Sequence, residues 1–165
     1  MDLARFARHL ATGTRRVRRC FPESAMNAIE AAIGEGETRH AGEIRFAVEA
    51  ALHPFTALRG RDPRERAIEV FSALHVWDTA DRTGVLIYLL LADRDIEIVA
   101  DRGIAARVAQ EQWEEICRAM EAELRAGRYE TGALAGIRAV SDLLARHFPP
   151  GDRNRDELPD RPVVL

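Results

Sequence analysis

The chain has 165 residues, of which 47% are hydrophobic and 31% charged, with a formal net charge of -3. That length supports one domain with a core of its own, and the mildly acidic balance gives no electrostatic ground for nucleic acid as a partner. Its two cysteines, Cys20 and Cys117, lie far apart and belong to no CxxC pair, which argues against a zinc site or a disulfide framework and suits reducing, cytoplasmic surroundings.

Residues 1–20 form a basic segment, with Arg5, Arg8, Arg15, Arg16, Arg18 and Arg19 against the single Asp2. Leu3, Phe6, Ala7 and Leu10 recur there at helical spacing. One reading is an amphipathic anchor on anionic lipid, a peripheral membrane contact. The other is a short helix whose Leu and Phe side chains pack on the domain while the arginines face water. The second is favoured, because one short apolar stripe binds lipid only marginally. The segment lacks the continuous apolar core of a secretion signal.

Pro22 suits the first position of a helix carrying Met26, Ile29 and Ile33 on one face, with Gly34 placed to end it. In "GEIRFAVEAAL", Ile44, Phe46 and Val48 alternate with Arg45, Ala47 and Glu49, which predicts a strand over 44–51. "RDPRERAIEVFSALHV" predicts a helix capped by Asp62, with Pro63 at its first position, Glu65 completing a capping box, and Ile68, Phe71 and Leu74 or His75 as the inner stripe. Residues 85–92 are apolar at every position, as in a central strand covered on both faces, and this longest apolar run is far too short to span a bilayer. Residues 95–100 alternate, with Ile96 and Ile98 opposite Glu97. Only Asp93 and Arg94 separate these two strands, so a tight antiparallel hairpin is expected. The strand at 44–51 reaches 85–92 through a helix, which predicts a parallel βαβ unit. Two long helices follow, one with Trp113, Ile116, Cys117, Met120 and Leu124 on a single face, the other with Leu134, Ile137, Val140, Leu144 and Phe148. The organisation expected is a basic segment (1–20), an α/β domain (21–149) with a small mixed sheet flanked by helices, and a tail (150–165) that is extended or disordered.

This topology sorts the aspartates around the apolar run. A reversal at Asp93 and Arg94 pairs Tyr88 near Val99 and Leu86 near Asp101, returning Asp101 to the rim where Asp81 enters; parallel pairing begins Glu43 at that rim too. Glu43, Asp78, Asp81 and Asp101 therefore form the candidate metal ligands, with Arg82 and Arg102 as candidate phosphate holders. Converging carboxylates suit a hard cation, Ca2+ or Mg2+, and an ion so held can activate water toward phosphate esters. Aspartates at strand ends also serve simply as turn caps and edge blunters. The opposite rim collects His53, Asp93, Arg94 and Asp95, read as ordinary turn residues. "LIYLLLADRDIEI" superficially matches the strand and Asp-x-Asp of haloacid-dehalogenase-type phosphatases, but Glu97 stands where Thr or Val belongs and the chain returns at once as a strand. No Walker sequence, GxGxxG or nucleophile elbow is present.

The stretches "HAGEIRFAVEAAL", "DRTGVLIYLLLADRDIEIVADRGI", "LRAGRYETGALAGIRAV" and "DELPDRPVVL", in this order, resemble the TPM domain. The family signature D-x-x-G-V-L falls on Asp81, Gly84, Val85 and Leu86, and its glycine-containing return on Asp101, Arg102, Gly103 and Ile104. The resemblance implies a Rossmann-like α/β sandwich and a divalent-ion site at the acidic rim. A plant thylakoid-lumen relative is described as a calcium-containing acid phosphatase; other relatives are linked to photosystem repair or ion-channel modulation. Here "DRGIAA" replaces the more usual GxGLE, which removes a glutamate from the rim. The leading expectation is an accessory or binding module with an unknown protein partner. The alternatives are a weak metal-dependent acid phosphatase and a membrane-associated adaptor acting through the arginine-rich segment.

Overall fold

The computed structural model describes residues 2–151 and 156–165. Its centre is the apolar run, which forms strand β2 (Gly84–Leu90) and is buried at every residue. A strand with no polar face must be covered on both sides, and here it is. β1 (Glu43–Glu49) pairs with it in parallel, β3 (Asp95–Ala100) antiparallel, and the two-residue β4 (Val163–Val164) adds to β1 in parallel, giving the order β3-β2-β1-β4.

Side chains alternate across this sheet. Ile44, Phe46, Val48, Val85, Ile87, Leu89, Ile96 and Ile98 pack toward one face, under three helices: α3 (Glu23–Glu37), α7 (Gln110–Arg125) and α8 (Tyr129–His147). Ala47, Leu86, Tyr88, Leu90 and Val99 pack toward the other, under α4 (Pro54–Leu58) and α5 (Pro63–Ala73), with Leu158 of the tail. The result is an α/β sandwich with a mixed sheet. On the second face the Tyr88 hydroxyl donates to Glu49 (2.6 Å), which also accepts from Arg66 (2.8 Å), so a buried phenol and carboxylate each have a partner.

Several local expectations need correction. The hairpin turn is Leu91–Arg94, four residues instead of two, and the register places Leu86 opposite Val99 and Tyr88 opposite Glu97. The reason lies in β1: the amides of Leu91 and Ala92 still donate to the carbonyls of Glu49 and Ala50 (2.9 and 3.1 Å), so the first two residues of the turn stay bound to β1 after β3 has parted from β2. Helix α3 runs through Gly34 to Glu37. Gly34 gives room to a tail carboxylate, since a Cβ there would stand 2.8 Å from Asp160 Oδ2, and Gly36 likewise admits Ser141. These glycines serve close packing, not helix termination. Asp62 does cap α5, accepting from the Arg64 amide at 3.0 Å, but the buried face is Ala67, Val70 and Phe71, and Ile68 is exposed.

Within the basic segment, residues 2–20 hold two helices, α1 (Leu3–Ala11) and α2 (Thr14–Cys20). The reading in which both Leu and Phe pack on the domain holds for Phe6 alone. Phe6 packs edge-on against Phe55 of α4, yet Leu3 and Leu10 stay exposed, while Arg5 and His9 turn inward. Asp93 draws them in. It accepts from Arg5 Nε (2.8 Å) and Arg8 (3.3 Å) and lies 3.1 Å from His9 Nε2, while His9 Nδ1 accepts from the Leu52 amide (3.0 Å). Burial would raise the Asp93 pKa, but the Arg5 hydrogen bond and adjacent His9 hold it below the usual carboxylate range. Of the tail expected over 150–165, residues 152–155 lie outside the described residues; 156–165 run extended and bond to the sheet edge, the Leu165 amide donating to Val48 (2.9 Å).

Asp93→Ala removes the acceptor on which α1 converges. The expected result is a loss of about 1–3 kcal/mol in thermal or denaturant unfolding. Amide exchange across residues 3–11 should accelerate while that of β2 does not; unchanged exchange in α1 contradicts this account.

Candidate functional site

β1 and β2 start level, Glu43 opposite Gly84, and as β3 leaves the sheet the Asp101 amide donates to the Gly84 carbonyl at 2.9 Å. The corrected register thus keeps Asp101 at the rim where β1 and β2 begin, opposite Gly84, two residues further along β2 than expected. The approach to β2 is a fixed loop: Asp78 donates its amide to His75 (2.9 Å), Arg82 to Thr79 (3.2 Å), and Thr83 to the Thr79 hydroxyl (2.9 Å). Arg82 sits in left-handed backbone geometry, φ 57°, which is strained for a side chain of this kind. The return from β3 presses on this loop. A Cβ at Gly103 would lie 2.6 Å from the carbonyl oxygens of both Asp81 and Arg82, so only glycine fits there.

The predicted residues fall into three situations. Asp78, Asp81, Arg82 and Arg102 are exposed around the loop and the start of α6 (Arg102–Ala105). Asp101 is only 8% exposed; its Oδ1 accepts from the Arg102 amide (2.7 Å), capping α6, and its Oδ2 is buried with no hydrogen-bond partner among the described residues. Glu43 is buried and its Oε2 accepts the amides of Glu157 (3.2 Å) and Leu158 (3.0 Å). Glu43 therefore straps down the tail, and burial raises its pKa.

The tail brings further acids to this region, which sequence reading did not foresee. Glu157 Oε2 accepts from the Ala80 amide at 2.9 Å, next to the candidate loop. Among the described residues, the group of three carboxylates with ligand atoms within 4.8 Å of one another is Glu37, Asp156 and Asp160, and not the predicted four. Glu37 Oε1 accepts from the Ile44 amide at 2.7 Å. Burial, with help from Glu43 and Asp160, pushes the Glu37 carboxyl up to about 9, so it holds a proton at neutral pH and hydrogen-bonds Asp160. Asp160 is raised as well, by its own burial and then by Asp156. Glu37 and Asp160 share this proton and latch α3 to the tail. The run "DELPD" was the available signal, but nothing in it tells which strand end a tail reaches.

On the opposite rim Asp95 is pushed up to about 6, by burial first and then by Glu97, Glu121 and Asp93. Cys117, half-buried beneath that edge, is pushed up to about 12, by burial first, which keeps it a thiol at neutral pH.

An α/β sandwich with an acidic rim at the start of its two central strands is the class of protein these features define. The TPM domain family model matches residues 19–143, most of the chain, and the protein belongs to that family. Among solved structures, the NMR structure of the BA42 protein from the psychrophilic bacterium Bizionia argentinensis is similar, with a TM-score of 0.76 at 30% identity over 86% of this chain and 93% of that one. No curated protein matches.

The Glu37 latch gives a pH signature. Its folded pKa is raised, so between about 4.5 and 9 the unfolded chain has lost a proton that the folded chain keeps, and stability falls as pH rises through that window. Glu37→Gln keeps an acceptor for Ile44 and a donor for Asp160 but cannot ionise. It should flatten this dependence, recovering up to about 1.4 kcal/mol per pH unit, read from unfolding midpoints across that range.

Proposed function

We propose that this TPM domain is an accessory binding module whose acidic rim takes a divalent cation, Ca2+ or Mg2+, and presents it with the exposed loop around Asp81 to a protein partner. One observation carries the reading: Asp101 Oδ2 is buried and unpartnered beside a loop whose backbone carbonyls and aspartates offer further oxygen donors. A buried carboxylate oxygen with no hydrogen bond is costly unless a cation or ordered water meets it. Hard cations take oxygen donors of this kind. Asp101 and Asp81 would hold the ion and Asp78 would support it, while Glu43 stays with the tail.

A second reading is a weak metal-dependent phosphatase. It draws support from Arg82 and Arg102, both exposed at the same rim, whose guanidinium groups are suited to holding a phosphate. A cation there would supply polarisation of a phosphoryl oxygen. Asp101 positions the donors, and the two arginines would bind and orient the phosphate.

Calorimetric titration with CaCl2 and MgCl2 is expected to show binding that Asp101→Asn weakens by about tenfold or more, the scale of loss for damaged metal shells. No heat from either ion with the unaltered chain would remove the cation from this reading. Hydrolysis of p-nitrophenyl phosphate decides the second reading: it requires turnover that is lost in Arg82→Gln with Arg102→Gln and in Asp101→Asn. Turnover unchanged in those variants would exclude the rim as its source.

A further inference from the structure

Helix α1 docks with its polarity reversed. A short helix on a domain surface ordinarily turns its leucines inward and its arginines out. Here Arg5 and His9 face the domain, His9 being 3% exposed, while Leu3 and Leu10 are 71% and 69% exposed. Leu3 and Leu10 lie three and four residues from Phe6, so the three side chains form one stripe along the helix. Phe55, which meets Phe6 at 5.9 Å between ring centroids, widens the stripe from α4 and is itself 62% exposed. The patch is thus built from two elements and anchored from behind by Asp93.

A basic surface adjoins it. Leu10 stands at the lip of a concave basin of ≈ 950 Å3 that Arg15, Arg16, Arg19 and Tyr129 also line. Among the described residues, none of Arg15, Arg16, Arg18 and Arg19 is in an ion pair, although elsewhere arginines pair repeatedly with acids. Residues 1–20 hold six of the 24 arginines but one of the 27 acidic residues, so this stretch carries +5 against -8 for the rest of the chain. No helix among the described residues is long and apolar enough to cross a membrane.

We infer that this face docks on an anionic lipid surface. Leu3, Leu10 and Phe55 enter the boundary between headgroups and acyl chains, and Arg15, Arg16 and Arg19 meet the headgroup phosphates. An acidic protein would satisfy the arginines, but it gives no reason for exposed leucines beside inward-facing polar groups. Lipid satisfies both at once. The charge asymmetry orients the molecule, since the acidic body is repelled from the same surface that attracts this end.

The test is flotation of the full chain with vesicles of phosphatidylcholine alone and of phosphatidylcholine mixed equally with phosphatidylglycerol, in excess EDTA so that no bridging cation contributes. The chain is expected to float with the anionic vesicles only, and to be released by high salt. Leu3→Ser with Leu10→Ser should abolish flotation without moving the unfolding midpoint, because both side chains are already in water. Arg16→Gln and Arg19→Gln should each weaken partition about fivefold. No flotation, equal flotation with both vesicle types, or undiminished flotation of the leucine variant each overturns the inference. Loss in the arginine variants alone does so too, and points to an acidic protein surface. The cation proposal above is untouched by any of these outcomes.

Discussion

The constraint on which the rest depends is the complete burial of β2. Each of its seven residues is inaccessible, and its backbone is paired on both sides, to β1 and to β3. Fully burying a Leu, Ile or Val side chain stabilises by about 1.5–3 kcal/mol, so this strand contributes a large share of the driving force for folding. It also leaves no interior position where a polar group is tolerated without a partner. Polar residues are therefore confined to the two ends of the strand, and that is why aspartates bracket the most apolar run in the chain.

The two ends have different chemistry because their aspartates have different company. Asp93, at the hairpin end, has both oxygens occupied by Arg5, Arg8 and His9, and it fastens α1 to the domain. Asp101, at the other end, spends one oxygen on capping α6 and keeps the other buried without a partner among the described residues. The first arrangement stabilises a fold. The second leaves a buried carboxylate oxygen with no such company beside a strained, glycine-pressed loop, and this is the ground on which the cation proposal stands.

Two chain segments distant in sequence complete the molecule. The tail crosses the acidic rim, is gripped by Glu43, and shares a proton through Asp160 and Glu37. Arg161 adds contacts to Glu23, Glu30 and Asn27 of α3. The first two helices cover the opposite end and collect the basic charge there. The protein is thus polarised along its strands, with acids gathered at one end of the sheet and arginines at the other, and the two functional proposals occupy different ends for that reason.

Local pattern was sufficient for much of this. The unbroken run 85–92, the alternation at 44–49 and 95–100, and the helical stripe through Trp113, Met120 and Leu124 each record burial directly, since burial on a strand or helix has a fixed period. Those patterns, with the motifs around Asp81 and Gly103, determined three of the four strands, the parallel pair and the family, but not the fourth strand, which the tail supplies; they also brought Asp101 to the rim where β1 and β2 begin. What they did not contain was any contact between distant segments. The hairpin register was decided by continued pairing of Leu91 and Ala92 to β1, the extent of α3 by room made for Asp160 and Ser141, and the use of Glu43 by the arrival of the tail. The inward turn of Arg5 and His9 depended on Asp93, 88 residues from Arg5 in the chain. Periodicity reports how much of a residue is covered; which partner covers it is settled only when the chain has folded back on itself.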